Sequence, residues 1–169
     1  LARHRGSELA VRLVLAALWI VNGIGYHLLF FSRINTLAYV FAGAFVGQAV
    51  ILMRQPIRFT DAAPATPIGI ARIAGLVLVA YALVAYPLIG LLAAHPYPAT
   101  PLFGVAPCPT TIFTLGMLAM SAGDLSWRVL AIPLLWSVIG GSAAVLLAVP
   151  QDYGLILAGA VALALKLTG

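Results

Sequence analysis

Residues Leu9 to Phe31 read LAVRLVLAALWIVNGIGYHLLFF, and this stretch decides the class of protein. Only Arg12, Asn22 and His27 interrupt its apolar character. A transmembrane helix needs about 20 consecutive, predominantly apolar residues. The stretch is therefore long enough to cross a bilayer as one helix, and we predict that it forms the first transmembrane span.

The composition of the whole chain points the same way. Of its 169 residues, 63% are hydrophobic and 8% are charged, whereas a soluble domain has roughly 45–50% apolar and about 25% charged residues. Too few polar side chains remain to cover a surface that faces water, so the predicted partner of the surface is the lipid bilayer. The formal charge is +5, but the basic residues are scattered without interleaved aromatic residues, and no nucleic-acid partner is predicted.

Further apolar segments predict an all-α fold, a polytopic bundle of transmembrane helices. We assign residues 1–169 to a single transmembrane domain. Its six predicted spans are 9–31, 34–53, 69–93, 109–122, 125–149 and 151–167. Residues 95–109 contain five prolines, and proline at this density forbids a regular helix. We therefore expect a proline-rich segment that is re-entrant or broken before the fourth span.

The distribution of positive charge predicts the orientation of this bundle. With six spans and a cytoplasmic N-terminus, eight of the nine basic residues lie on the cytoplasmic side and only Arg33 lies opposite. Cytoplasmic loops of membrane proteins carry an excess of lysine and arginine. The bias supports both the number of spans and a cytoplasmic C-terminus, since a miscount by one helix would scramble it.

Polar side chains that could carry chemistry collect at the predicted non-cytoplasmic end. They are Asn22, Tyr26, His27, His95, Cys108, Thr110, Thr111 and Asp152. An ionisable group inside a span is costly and is a functional candidate by default, which singles out His27. The alternative is that His27 lies near the membrane interface and donates a hydrogen bond to a carbonyl, with Tyr26 in an interfacial aromatic belt.

Cys108 precedes Pro109, a residue that suits the first position of a helix. Cys108 would then lie near the N-cap, where the helix dipole favours the thiolate form. His27, His95 and Cys108 are residue types that bind copper or zinc, so a metal site made of these three is one hypothesis. No sequence spacing supports it, and the alternative is that Cys108 is a small apolar residue in a proline turn.

Thr110, Thr111 and Asp152 each allow a functional and a structural interpretation. The two threonines could line a pathway, or their hydroxyls could bond back to the helix backbone. Asp152 lies at the very start of the last predicted span and could cap its helix. Asn22 and Tyr26 complete the candidate site because they lie in the same half of the first span.

Known catalytic motifs are absent from the sequence, and we predict no enzymatic activity. There is no H-E-x-x-H, G-x-S-x-G or P-loop, and only one histidine lies within a span. The leading hypothesis is a transporter or binding protein for a small solute or metal ion with an outward-facing site, because broken helices commonly mark such sites. It would work as a homo-oligomer or as a subunit of a membrane complex. The alternative is a non-catalytic accessory subunit or scaffold, and a membrane enzyme using Cys108 or His27 is a third hypothesis.

The segment 103–116 reads FGVAPCPTTIFTLG, and it resembles a family of bacterial polytopic membrane proteins known only as a domain of unknown function. Segments 22–27, 31–35 and 150–155 are also similar to that family. The resemblance implies a multi-pass protein of the bacterial inner (plasma) membrane and brings no activity with it. Members of the family tend to carry one more hydrophobic segment before the position of Leu1, which implies seven spans and an outside N-terminus.

Overall fold

The structure is a computed structural model that describes residues 2–58, 69–93, 103–121 and 126–168. These residues form six helices, so the predicted all-α class is confirmed. Helix α1 begins as an α-helix over Ala2–Ile20, continues as a π-helix over Val21–Phe30 and ends in a 3-10 turn over Phe31–Arg33. Helix α2 is Ala38–Arg54.

The second half of the chain supplies the other four helices. Helix α3 runs over Ile70–Leu92, with a π-helical segment at Tyr81–Ala85 between two α-helical parts. The last three helices are α4 (Pro107–Ala119), α5 (Trp127–Leu146) and α6 (Tyr153–Thr168). A 3-10 turn, Pro150–Asp152, leads directly into α6.

Three of these helices are long and apolar enough to cross a membrane: Gly6–Arg33 within α1, all of α3 and all of α5. Helix α2 is apolar but shorter. Each of the six predicted spans overlaps one helix, while the number of helices that cross the bilayer stays a prediction. His95 and most of the proline-rich segment before α4 lie outside the described residues.

The start of α4 differs from the sequence prediction by two residues. The helix begins at Pro107, with Ala106 as its N-cap, and Pro109 therefore occupies the third helical position rather than the first. The N–H groups of the first turn have no partner within a helix, so proline is tolerated at several positions there. Cys108 consequently lies inside the first turn and not at the N-cap.

Successive helices run in opposite directions. At one end of the bundle, Arg12 near the start of α1 donates a hydrogen bond to the carbonyl of Gln55 just after α2. At the same end, the Lys166 ammonium near the end of α6 lies 5.6 Å from the ring centroid of Trp127 at the start of α5. The other end brings together the ends of α1, α3 and α5 with the starts of α4 and α6, and it holds the candidate site.

The core is built from tightly packed helices, and glycine sets the closest approach. At the crossing of α3 and α4, a Cβ atom on Gly116 would lie 2.8 Å from the carbonyl oxygen of Gly75. On α2, by contrast, Gly43 and Gly47 have open space where a Cβ would stand among the described residues. Gly43 and Gly47 have the G-x-x-x-G spacing that predicts a close helix contact, but within the described part of the chain no such contact is made.

Candidate functional site

A carboxylate, a phenol and a thiol meet at the end of the bundle where α3 and α5 end. The Tyr86 hydroxyl donates a hydrogen bond of 2.5 Å to Oδ1 of Asp152, in the turn before α6. Tyr86 is only 1% exposed, although it lies at the end of an apolar helix. The thiol of Cys108, in the first turn of α4, faces the same carboxylate.

Two aromatic side chains, one from α1 and one from α5, lie next to these three groups. The Tyr26 hydroxyl of α1 lies close enough to interact electrostatically with Cys108 and Asp152. The indole N–H of Trp136 on α5 lies beside the Cys108 sulfur. Four helices and the turn before α6 therefore supply the side chains of this region, which no single segment of sequence could form alone.

Asp152 lies in the turn outside the six helices, and its surroundings change its acidity. Burial raises the pKa of its carboxyl, while the hydrogen bonds from Tyr86 and Cys108 act in the opposite direction without cancelling that rise. No basic side chain of the described residues is among the groups that act on it. Within the described part of the chain, this carboxyl therefore lacks the cation that usually pairs with a buried aspartate.

This raised pKa predicts a pH dependence of stability. Between the ordinary pKa of aspartate and the raised value, the folded protein holds a proton that the unfolded chain has released, so the free energy of unfolding falls as pH rises through that window. We expect the melting temperature in detergent to decrease across it and Asp152→Asn to flatten the decrease. An equal slope in wild type and Asp152→Asn would contradict the assignment.

His27 lies in the π-helical part of α1 and is completely buried among aromatic rings. Its ring centroid is 4.6 Å from that of Phe45 and 5.0 Å from that of Trp136. Neither ring nitrogen has a hydrogen-bond partner. The imidazole is thus enclosed rather than placed at a hydrated interface, and it shares Trp136 as a neighbour with Cys108.

Unpaired buried polar atoms are concentrated in this region. Among the described residues, nine buried side-chain polar atoms have no hydrogen-bond partner, and six of them belong to His27, Thr111, Trp136 and Gln151. Thr111 lies one helical turn beyond Cys108, and Gln151 precedes Asp152 in the same turn. We call the following side chains the polar cluster: Tyr26, His27, Tyr86, Cys108, Thr111, Trp136, Gln151 and Asp152.

Asn22 and Thr110 form a different arrangement, in which most polar atoms are paired. The Asn22 amide donates hydrogen bonds to the carbonyl of Gly104 and to Oγ1 of Thr110, both at 3.2 Å. The Thr110 hydroxyl donates in turn to the carbonyl of Ala106 at 2.8 Å. This network ties the middle of α1 to the turn before α4, and it favours the structural interpretation of these two residues.

The structure does not test the predicted metal site of His27, His95 and Cys108. His95 lies outside the described residues, and the described residues contain no group of three His, Cys, Asp or Glu side chains that could hold a metal ion. Cys108 and Asp152 do face each other. The three-ligand site of His27, His95 and Cys108 therefore stays a prediction, while the structure adds Asp152 as a neighbour that spacing alone could not reveal.

Sequence reasoning missed Tyr86 and Trp136, and it did not single out Gln151. Tyr86 and Trp136 lie in apolar helices, where an aromatic residue is ordinarily a packing residue, so the pattern offers no signal for them. Gln151 could have been found from its place beside Asp152, since a buried amide needs hydrogen-bond partners.

Taken together, the helices and the polar cluster define the class: within the part of the chain that the structure describes, the protein is all-helical, three helices are long and apolar enough to cross a membrane, and polar side chains gather at one end of the bundle. The chain belongs to a family of unknown function, DUF6064, whose model matches residues 1–168. No curated protein and no solved structure shows a significant match to the chain.

Proposed function

We propose that this protein is an integral membrane binding protein or transporter for a small solute or metal ion, and that the polar cluster is its binding site. The observation that carries the proposal is the concentration of unpaired buried polar atoms in His27, Thr111, Trp136 and Gln151. Roughly 90% or more of buried polar groups in proteins have a hydrogen-bond partner. A bound ligand, with the water molecules that accompany it, would supply the missing partners.

The local backbone supports the same proposal. Tyr26 and His27 lie in the π-helical segment of α1, and the π-helical segment of α3 ends directly before Tyr86. Segments of π-helix frequently occur at functional sites, because the altered turn re-aims side chains. Polar side chains that face the interior of a membrane bundle commonly mark substrate or ion pathways.

The proposed cellular setting follows from the charge distribution. The polar cluster lies at the end of the bundle that carries Arg33, whereas the other basic residues belong to the segments predicted to be cytoplasmic. By the positive-inside bias, the polar cluster would face away from the cytoplasm in the bacterial inner membrane. Uptake or binding from that side is the activity we propose.

Thr111→Val tests the site with little risk to the fold. Replacing an unpaired buried hydroxyl by a methyl group of similar shape should leave the ligand-free melting temperature unchanged or higher. If the hydroxyl contacts the ligand, affinity should fall about tenfold, as expected for the loss of one hydrogen bond. Calorimetry on protein in detergent would measure this with Cu(I), Zn²⁺, ammonium and free amino acids as probes.

Thr168→Val is the matched control, because Thr168 is exposed and its hydroxyl donates to the carbonyl of Ala164 one turn earlier. The control should bind like the wild type. A probe that binds wild type and Thr111→Val equally would exclude Thr111 from the site. Absence of binding for every probe, together with no uptake into proteoliposomes, would count against the proposed function itself.

A non-catalytic accessory subunit is the second candidate function. An apolar groove of about 420 Å³ lies between α5 and α6 and is lined in part by the small residues Gly141, Ser142, Gly159 and Ala160. Small residues allow helices to approach closely within membranes. Copurification with other membrane proteins at fixed stoichiometry would support this role, and a stable isolated protein that transports a probe would exclude it.

A further inference from the structure

We propose that the apolar groove between α5 and α6 binds an acyl chain of an anionic phospholipid, and that the phosphate of this lipid lies against Arg128 and Lys166. These two residues lie at the end of the bundle opposite the polar cluster. The inference rests on the membrane insertion that the proposed function includes. It does not depend on which solute or ion the polar cluster binds.

The groove follows the line along which two antiparallel helices meet, and glycine brings these helices close together. A Cβ atom on Gly141 of α5 would lie 2.5 Å from Cγ1 of Ile156, and one on Gly159 of α6 would lie 2.6 Å from Cβ of Ser137. Beside this close contact the two helices leave a groove of about 420 Å³. Val138 lines the groove and is 70% exposed, so the groove opens on a surface that would contact lipid.

The lining of the groove suits an aliphatic occupant. Its two hydroxyl groups already donate to the backbone of their own helix: Ser137 to the carbonyl of Pro133 at 2.9 Å and Ser142 to the carbonyl of Ile139 at 2.7 Å. The other described residues that line the groove are glycine or have apolar side chains. A polar solute would lose hydrogen bonds to water here without replacing them, whereas an acyl chain has none to lose.

Two basic side chains lie near one end of the groove. The Lys166 ammonium of α6 is 5.6 Å from the ring centroid of Trp127, and the exposed Arg128 follows Trp127 at the start of α5. Tryptophan is enriched at the level of the lipid headgroups, so Trp127 marks the level at which these two cations would meet a phosphate. Basic residues next to a span attract anionic lipids. Charge complementarity therefore favours an anionic headgroup over a neutral one.

The position and length of the groove match an acyl chain attached to such a headgroup. On α6 the lining residues lie within 156–163, and on α5 they lie within 134–145. At 1.5 Å per residue, the groove begins roughly 5 Å from Lys166 and 9 Å from Arg128, and it extends roughly 10–17 Å further. One leaflet is half of a hydrocarbon core of about 30 Å. The groove therefore covers about the depth of the acyl chains in one leaflet.

A helix of a second copy of the chain is the alternative occupant. A helix is about 10–12 Å across, so a length of 17 Å fills roughly 1,300 Å³. That volume is about three times the volume of the groove. A single acyl chain is narrower than a helix, so the size of the groove favours the lipid.

Native mass spectrometry of the full-length protein, freed of lipid in detergent, tests the headgroup. The probes are dioleoyl phosphatidylglycerol and dioleoyl phosphatidylcholine, which share their acyl chains and differ in headgroup charge. We expect the anionic lipid to bind the wild type about fivefold more tightly or better, and Arg128→Gln to lower its affinity about fivefold. Arg33→Gln is the control, because it removes an equal charge at the other end of the bundle. Glycerol 3-phosphate, which has no acyl chain, should not compete.

Ala160→Leu tests the groove itself, and Ala143→Leu is its matched control. Both alanines are exposed on the helix surface, but only Ala160 lines the groove. Ala160→Leu should lower the affinity for both lipids about tenfold, the effect of excluding roughly two buried methylene groups, whereas Ala143→Leu should bind like the wild type.

Three results would overturn the inference. The first is equal lipid affinity of the two alanine variants, and the second is equal affinity of the wild type for the two lipids. The third is a wild-type dimer that dissociates in Ala160→Leu but not in Ala143→Leu, because a second copy would then occupy the groove. The polar cluster is tested separately by Thr111→Val, so the proposed binding of a solute or ion stands or falls on its own.

Discussion

Gly116→Leu should yield no folded protein, the largest effect we expect from a single substitution. A Cβ atom at this position would lie 2.8 Å from the Gly75 carbonyl oxygen and 3.0 Å from the Cβ of Leu78. The first of these neighbours is backbone and cannot rotate away, so α3 and α4 would have to separate. Overpacking a core commonly costs about 1–3 kcal/mol, and a whole side chain forced between two backbones should exceed that range.

Gly43→Leu provides the matched control for this prediction. Gly43 lies on α2, and among the described residues nothing stands within 4 Å of the Cβ position. The control should elute as a single species in detergent and melt near the wild-type temperature, whereas Gly116→Leu should aggregate or be degraded. If the two variants melted at similar temperatures, the crossing of α3 and α4 would have to be less tightly packed than it is in the structure.

Asn22→Leu should destabilise the protein by about 1–3 kcal/mol, the cost of leaving buried hydrogen-bonding groups unpaired. Asn22 is 0% exposed and its amide is shared between the carbonyl of Gly104 and the hydroxyl oxygen of Thr110. Gly104 has a φ of +87°, a conformation that favours glycine. The substitution therefore removes the contact that holds this turn against α1.

The matched control is Asn35→Leu, at the turn between α1 and α2. The Asn35 side chain accepts one exposed hydrogen bond, from the backbone N–H of Leu37 at 2.9 Å. Its loss should cost well under half as much as the loss of the Asn22 network. Thermal melting in detergent, followed by circular dichroism, would compare the two, and equal melting temperatures would contradict the role given to Asn22.

The helices could be predicted from sequence because their signal is local. A run of apolar residues such as 9–31 identifies its helix without reference to the rest of the chain. The predicted start of α4 was two residues too late, because Pro107 and Pro109 are both compatible with a first helical turn. Only the contacts of the turn before α4 decide between them. The same limit explains why the sequence did not show that Gly43 and Gly47 face open space. Their spacing indicates a smooth helix face, but it does not show what lies against that face.

The candidate site could be predicted only in part, for a related reason. His27, Cys108 and Asp152 are recognisable because ionisable residues are rare in apolar helices. They can be placed at the same end of the bundle because successive helices run in opposite directions. Tyr86 and Trp136 became recognisable only through contacts between residues far apart in the chain, such as the hydrogen bond from Tyr86 to Asp152.

The π-helical segments at Val21–Phe30 and Tyr81–Ala85 bear on how this family should be aligned. A π-helical turn closes its hydrogen bond one residue later than an α-helical turn, so it accommodates one residue more before the helix resumes its path. A relative that lacks one residue in such a segment would keep the same fold as an ordinary α-helix. It would, however, turn a different side chain toward the position of His27. Single-residue gaps within these two segments are therefore the first places to look for relatives that present a different side chain at the position of His27.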